Sequence, residues 1–157
     1  MKGSKVHELE TDVPASELWG IYGTLAAATL IPELVPHAVS KVDLISGDGD
    51  EGTIVQLTFP PGTSGPRSYK EKFTMIDNEK YIKEAAVIEG GYLDLGFQKY
   101  VVRFEIVRQE DGTTIIRSTI EYKVDAEHAG NASLVSTRAL AAIAEAITKY
   151  IKEQKSP

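Results

Sequence analysis

The chain has 157 residues, 42% of them hydrophobic and 25% charged, the profile of one globular domain spanning 1–157 with enough length to bury a full core. A net charge of −6 without any basic stripe argues against a nucleic-acid partner, and the absence of cysteine excludes disulfides and thiolate zinc sites. His7, His37 and His128 lack ligand spacing, and no apolar run of about 18 residues or signal core is present, so the expectation is no metal, no cofactor, no membrane partner and a cytoplasmic location.

In chain order, 5–13 reads as a strand carrying Val6, Leu9 and Val13, and Pro14 ends it. A short helix follows, with Glu17 in its first turn and Leu18, Trp19, Tyr22 and Leu25 at helical spacing. A second short helix at 26–35 is bounded by Pro32 and Pro36. Six β-rich runs come next, at 39–45, 53–59, 67–76, 80–89, 97–108 and 113–124, separated by turn residues that imply antiparallel hairpins. The loop 60–66, rich in Pro and Gly, reads as a mobile rim. Residues 129–155 predict one amphipathic helix about 40 Å long, with Leu140, Ile143, Ala144, Ile147 and Ile151 on its apolar face and Asn131-Ala132-Ser133 at its start.

Such a sheet must cover its apolar face, and the terminal helix is the element long enough to do so. The fold class is therefore α+β: a seven-stranded curved antiparallel sheet wrapped around a long C-terminal helix, with two short helices after the first strand. The alanines at 141, 142, 144 and 146 would fill a strongly curved sheet poorly, which leaves room for a cavity.

Two strands break their own hydrophobic pattern. Period-two alternation puts Tyr69, Glu71, Phe73 and Met75 on one face and Tyr81, Lys83, Ala85 and Val87 on another, each apolar apart from a single charge. A three-residue turn centred on Asn78 sets Glu71 opposite Ala85, and one centred on Asp77 sets it opposite Lys83; a two-residue turn sends the two charges to opposite sides. The pair either decorates a wet rim or is held inward, where desolvation drives both groups toward neutrality and equips them for acid–base chemistry. Gln98, Tyr100, Val102, Phe104 and Ile106 on the sixth strand, and Ile116, Ser118, Ile120 and Tyr122 on the seventh, form the inward lining, with Tyr92, Tyr100 and Tyr122 available to an aromatic ligand. Gly47-Asp48-Gly49-Asp50-Glu51-Gly52-Thr53 lacks the lysine of a phosphate loop and the later ligands of a calcium loop, and reads as a glycine-rich turn at the cavity rim.

Gly47-Asp48-Gly49 with Gly52-Thr53, Tyr69-Lys70-Glu71-Lys72-Phe73, Asp77-Asn78-Glu79 and Ile88-Glu89-Gly90-Gly91-Tyr92-Leu93-Asp94-Leu95-Gly96 resemble the norcoclaurine synthases of the Bet v 1 and pathogenesis-related class 10 superfamily. The resemblance covers nearly the whole chain and implies the helix-grip fold with a ligand tunnel. It also implies condensation of dopamine with an aromatic aldehyde through a carbinolamine and Pictet–Spengler closure. Tyr69, Glu71 and Lys83 fall at the catalytic positions, and Phe73, Tyr92, Tyr100 and Val102 at substrate-binding ones. Val102 stands where the family carries an aspartate on strand six; the related norbelladine synthases join tyramine to an aromatic aldehyde and stop at the imine, a step that asks less of a second acid. The implied partners are a small aromatic amine and aldehyde, or another hydrophobic small molecule bound by a noncatalytic carrier, in a monomer or weak homodimer; ribonuclease activity fits the acidic charge least.

Overall fold

The computed structural model describes residues 1–62 and 65–155. The elements are β1 (Lys2–Thr11), α1 (Ala15–Tyr22), α2 (Ala26–Leu34), β2 (Lys41–Ser46), β3 (Ile54–Thr58), β4 (Ser68–Asp77), β5 (Ile82–Gly90), β6 (Phe97–Arg108), β7 (Thr114–Val124) and α3 (Arg138–Lys155). Among the described residues the seven strands form one antiparallel sheet in the order β1-β7-β6-β5-β4-β3-β2. Strands β2 to β7 are thus a continuous meander, and β1 closes the far side against β7. The rim loop expected at 60–66 includes Thr63 and Ser64, which lie outside the described residues.

α3 presents Leu140, Ile143, Ala144, Ile147 and Ile151 to the sheet, all buried as their spacing predicts. It starts nine residues later than expected, and its 18 residues span about 27 Å. The preceding Ala126–Leu134 forms 3₁₀ turns broken at His128, capped by Asp125, whose side chain accepts from the His128 N–H. Asn131 donates its side-chain amide to the Leu95 carbonyl at 2.8 Å, and Val135, 1% exposed, pins the extended link into α3. These tertiary ties override a weak helical pattern that contains Gly130. Gly91–Leu95, read as part of a turn, is likewise a 3₁₀ helix.

The β4–β5 hairpin corrects the expected turn. Asp77 accepts from the Glu79 and Lys80 backbone N–H groups, both at 3.0 Å, and Asp77 pairs with Ile82. The loop therefore holds four residues. Tyr81 is not on the face of Lys83: it sits in the loop at φ 58°, stacked on Trp19 at 5.2 Å with Arg108 above its ring at 4.8 Å. Trp19 Nε1 donates to Asn78 Oδ1 at 2.9 Å, so α1 holds this turn in place. An even-numbered loop alone would send Glu71 and Lys83 to opposite faces. A bulge at Thr74 restores the parity: Ile76 pairs with Lys83, Phe73 with Ala85 and Glu71 with Val87. Ile76 consequently takes the inward place expected for Met75. A second bulge at Ile88 keeps Tyr69 inward beside Gly90. On β6, a bulge between Phe97 and Lys99 turns Phe97 inward, 3% exposed, and leaves Gln98 outside, against the expectation for that position.

Candidate functional site

The curved sheet and α3 do not meet everywhere, and two adjacent chambers remain. The outer one, about 580 Å³, is lined among others by Phe59, Tyr69, Tyr92, Tyr100, His37 and Arg138. The inner one, about 90 Å³, lies toward α1 and α2 and is lined by Tyr22, Glu71, Phe73, Lys83, Phe104 and Ile143 among others. Tyr69, Val102 and Leu140 line both, so they form the neck between them.

Lys83, the second residue of β5, is 6% exposed. Its ammonium donates to the Tyr22 carbonyl at 3.1 Å and lies over the Phe73 ring, 3.9 Å from the centroid. Glu71, from β4, faces the same chamber. Of the two placements the sequence left open, a wet rim or the interior, the structure has the inward one, but among the described residues no direct ion pair joins the two; they act on each other through space. Burial pushes the Glu71 carboxyl up, to about 7, with the Lys83 charge pulling the other way. Burial pushes the Lys83 ammonium down, to about 8, with Glu71 opposing.

Above the neck the aromatic residues interlock. Tyr92 and Tyr100 stack at 4.0 Å with planes 6° apart, and Tyr69 tilts against Phe59, Tyr92 and Tyr100 at 5.2, 6.2 and 6.3 Å. Burial, and after it the Glu71 charge, raise the ionisation of the Tyr69 phenol, which stays a neutral hydrogen-bonding group at the neck. Gly91, at φ +56°, lets the backbone pass against the Tyr69 ring and hold it there. The glycine-rich turn packs Gly49 against Leu25, a residue of the inner chamber, and Glu51 accepts from the Ile76 N–H at 3.2 Å.

Tyr69, Glu71, Phe73, Lys83 and Val102 thus come together around the inner chamber and its neck, and Tyr92 and Tyr100 line the outer one. Tyr122 packs behind Phe97 at 5.7 Å and lines neither chamber, against the expectation that it would meet a ligand. Sequence reasoning missed Tyr22, taken for a core position of α1, and the neck role of Leu140, whose helical spacing signalled only burial. Among the described residues no group of three His, Cys, Asp or Glu side chains is placed to hold a metal ion.

The profile of the pathogenesis-related protein Bet v 1 family matches residues 1–154. The chain belongs to the Bet v 1 family. This Bet v 1 protein is 46% identical to the norbelladine synthase of Narcissus pseudonarcissus over 156 residues, 99% of this chain and 96% of the relative. It is similar in structure to norcoclaurine synthase of Thalictrum flavum: a point mutant in complex with a transition-state analogue superposes with a TM-score of 0.90 at 40% identity, covering 99% of this chain and 98% of the other. The complex of that synthase with dopamine and hydroxybenzaldehyde gives 0.88 at 40% identity, covering 100% and 90%. Among the described residues no helix is long and apolar enough to cross a membrane.

Proposed function

We propose that this Bet v 1 protein condenses a phenolic arylethylamine such as tyramine or dopamine with an aromatic aldehyde, releasing water and leaving an imine. The observation that carries the reading is the burial of Glu71 and Lys83 in one chamber behind an aromatic neck. Two buried ions cost stability, and among the described residues no direct ion pair between them offsets that cost. As the amine nitrogen attacks the carbonyl carbon, Glu71 takes a proton from nitrogen and Lys83 gives one to oxygen, forming the carbinolamine. Loss of water forms the C=N bond by moving the second nitrogen proton to the departing hydroxyl. The pair resets when the carboxylic acid returns its proton to the neutral lysine. Tyr69 orients the partners at the neck, where Phe73, Tyr92 and Tyr100 supply apolar and stacking surface.

Val102 leaves Glu71 as the sole carboxylate among the described residues lining the two chambers, which supports a reaction that ends at the imine rather than at ring closure. The likeness to norcoclaurine synthase supports closure as a second reading. Incubation with tyramine or dopamine and hydroxybenzaldehyde, followed by borohydride trapping, separates the two: a reducible imine forming well above the buffer rate supports the first, and an enantiomerically enriched cyclic amine the second. Ligand binding with only the buffer rate of condensation would make the protein a carrier and overturn both. Both chambers are built from one chain, which supports a monomer.

The pH dependence follows from the same pair. Glu71 must be ionised and Lys83 protonated, and burial moves their ionisations toward each other. Once corrected for the ionisation of the substrate amine, kcat/KM is expected to trace a narrow bell near neutral pH. Lys83 lowers the Glu71 value and Glu71 raises that of Lys83, so residual activity in Lys83→Met should show its acid limb at higher pH, and in Glu71→Gln its alkaline limb at lower pH. Initial rates across pH 5 to 10 check this, and limbs that stay put in both variants would contradict it.

A further inference from the structure

One polar group of the inner chamber has no part in the condensation chemistry. Tyr22, the last residue of α1, is 2% exposed, lines the inner chamber and tilts its ring against Phe104 at 5.1 Å. Its hydroxyl is buried and has no hydrogen-bond partner in the fold. Leaving a phenol unpaired in an apolar interior costs about 1–3 kcal/mol, and a phenylalanine would fill the same space without that cost. The backbone oxygen of the same residue is already engaged by Lys83, so the hydroxyl is a separate feature. Burial raises its ionisation, which keeps it a neutral group able both to donate and to accept.

The chamber has the right size for a partner. Its volume of about 90 Å³ is several times the roughly 10–15 Å³ that one water requires, enough to admit the hydroxyl-bearing end of a ligand. It also holds the acid–base pair. Glu71, which takes the proton from the amine nitrogen, lines the inner chamber beside Lys83, and the outer lining carries Arg138, so the amine is placed inward and the aldehyde is left to the larger chamber.

We propose that the Tyr22 hydroxyl hydrogen-bonds the ring hydroxyl of a phenolic amine seated in the inner chamber, making the protein selective for tyramine-type amines over phenethylamine. The inference rests on the amine–aldehyde reading above. A site built to pair a substrate hydroxyl discriminates against the analogue lacking it, because its own buried group is then left unsatisfied.

The test compares the wild type with Tyr22→Phe, which removes one oxygen while keeping the ring, its contact with Phe104 and the backbone acceptor of Lys83. Dissociation constants of tyramine and phenethylamine are measured separately by calorimetry, without aldehyde, beside the condensation rate. The wild type is expected to bind tyramine about tenfold or more tighter than phenethylamine, and Tyr22→Phe to shrink that ratio to about threefold or less. A ratio unchanged in Tyr22→Phe, or no binding of either amine to the wild type, overturns the inference. So does a loss confined to 4-hydroxybenzaldehyde relative to benzaldehyde. If the ratio collapses as expected but no amine–aldehyde pair is turned over, the hydroxyl recognition stands and the catalytic reading falls. If turnover proceeds with the ratio intact, the reverse holds.

Discussion

Replacing Lys83 by methionine and Glu71 by leucine in one chain is expected to leave the protein about as stable as the wild type or more so, and catalytically inert. Lys83 is 6% exposed and Glu71 faces the same small chamber, so folding removes both charges from most of their water. They are not in direct contact, so little of that cost returns as ion-pair energy. Replacing buried ions with apolar groups of similar volume stabilises proteins by about 1–4 kcal/mol. The variant gives back roughly 1 kcal/mol for each of two lost interactions, the hydrogen bond to the Tyr22 carbonyl and the cation–π contact with Phe73. The balance lies between about −1 and +2 kcal/mol, and its upper end corresponds to a melting temperature several degrees higher in a chain of this length. Condensation should meanwhile fall by at least about 10²-fold, the scale of one general acid or base, without the two losses multiplying. Calorimetry and trapped-imine assays on the same preparation check both. A variant that melts well below the wild type would mean that the ions are structural.

Gly91→Val is expected to cost roughly 2–5 kcal/mol and to damage the neck. Gly91 is buried at φ +56°, where a side chain adds about 1–2 kcal/mol of backbone strain. A Cβ there would lie 2.7 Å from the Tyr69 Cβ and 2.8 Å from its Cδ2, with the Ser68 carbonyl at 3.2 Å. Backbone encloses the position on one side and the Tyr69 ring on the other, so relief comes by moving that ring, and overpacking of this kind costs about 1–3 kcal/mol. Tyr69 separates the two chambers with Val102 and Leu140, so its displacement should lower kcat for the fraction that remains folded. Chemical denaturation gives the first effect and single-turnover trapping the second. A stability loss under about 1 kcal/mol with full activity would show that Tyr69 is not held by this glycine.

The alternation of apolar residues was enough to read the sheet and to put Glu71 and Lys83 each on an otherwise apolar face, because burial of one face sets strand parity over long stretches; whether that face was a wet rim or the interior stayed open. It could not reveal how that parity is kept. The Asp77 turn is one residue longer than expected, and the Thr74 bulge cancels the shift; each depends on contacts from outside the hairpin, including Trp19 to Asn78. Gln98 was placed inward for the same reason, since an unbroken period of two has no way to register the bulge that brings Phe97 in. The 3₁₀ segments at 91–95 and 126–134 escaped because short turns leave no periodic trace. Within the site, charge on an apolar face marked Glu71 and Lys83. Tyr22 carried no comparable signal: a tyrosine at a core spacing looks like packing until its hydroxyl is found without a partner.

The most direct test of the central claim is a side-by-side measurement on Lys83→Met of condensation rate at saturating tyramine and hydroxybenzaldehyde, and of affinity for hydroxybenzaldehyde alone. The account predicts a rate at least about 10²-fold below the wild type with an affinity changed by less than about threefold, because the lysine acts on the reacting oxygen while the outer aromatic lining holds the aldehyde. A rate equal to that of the wild type would contradict it.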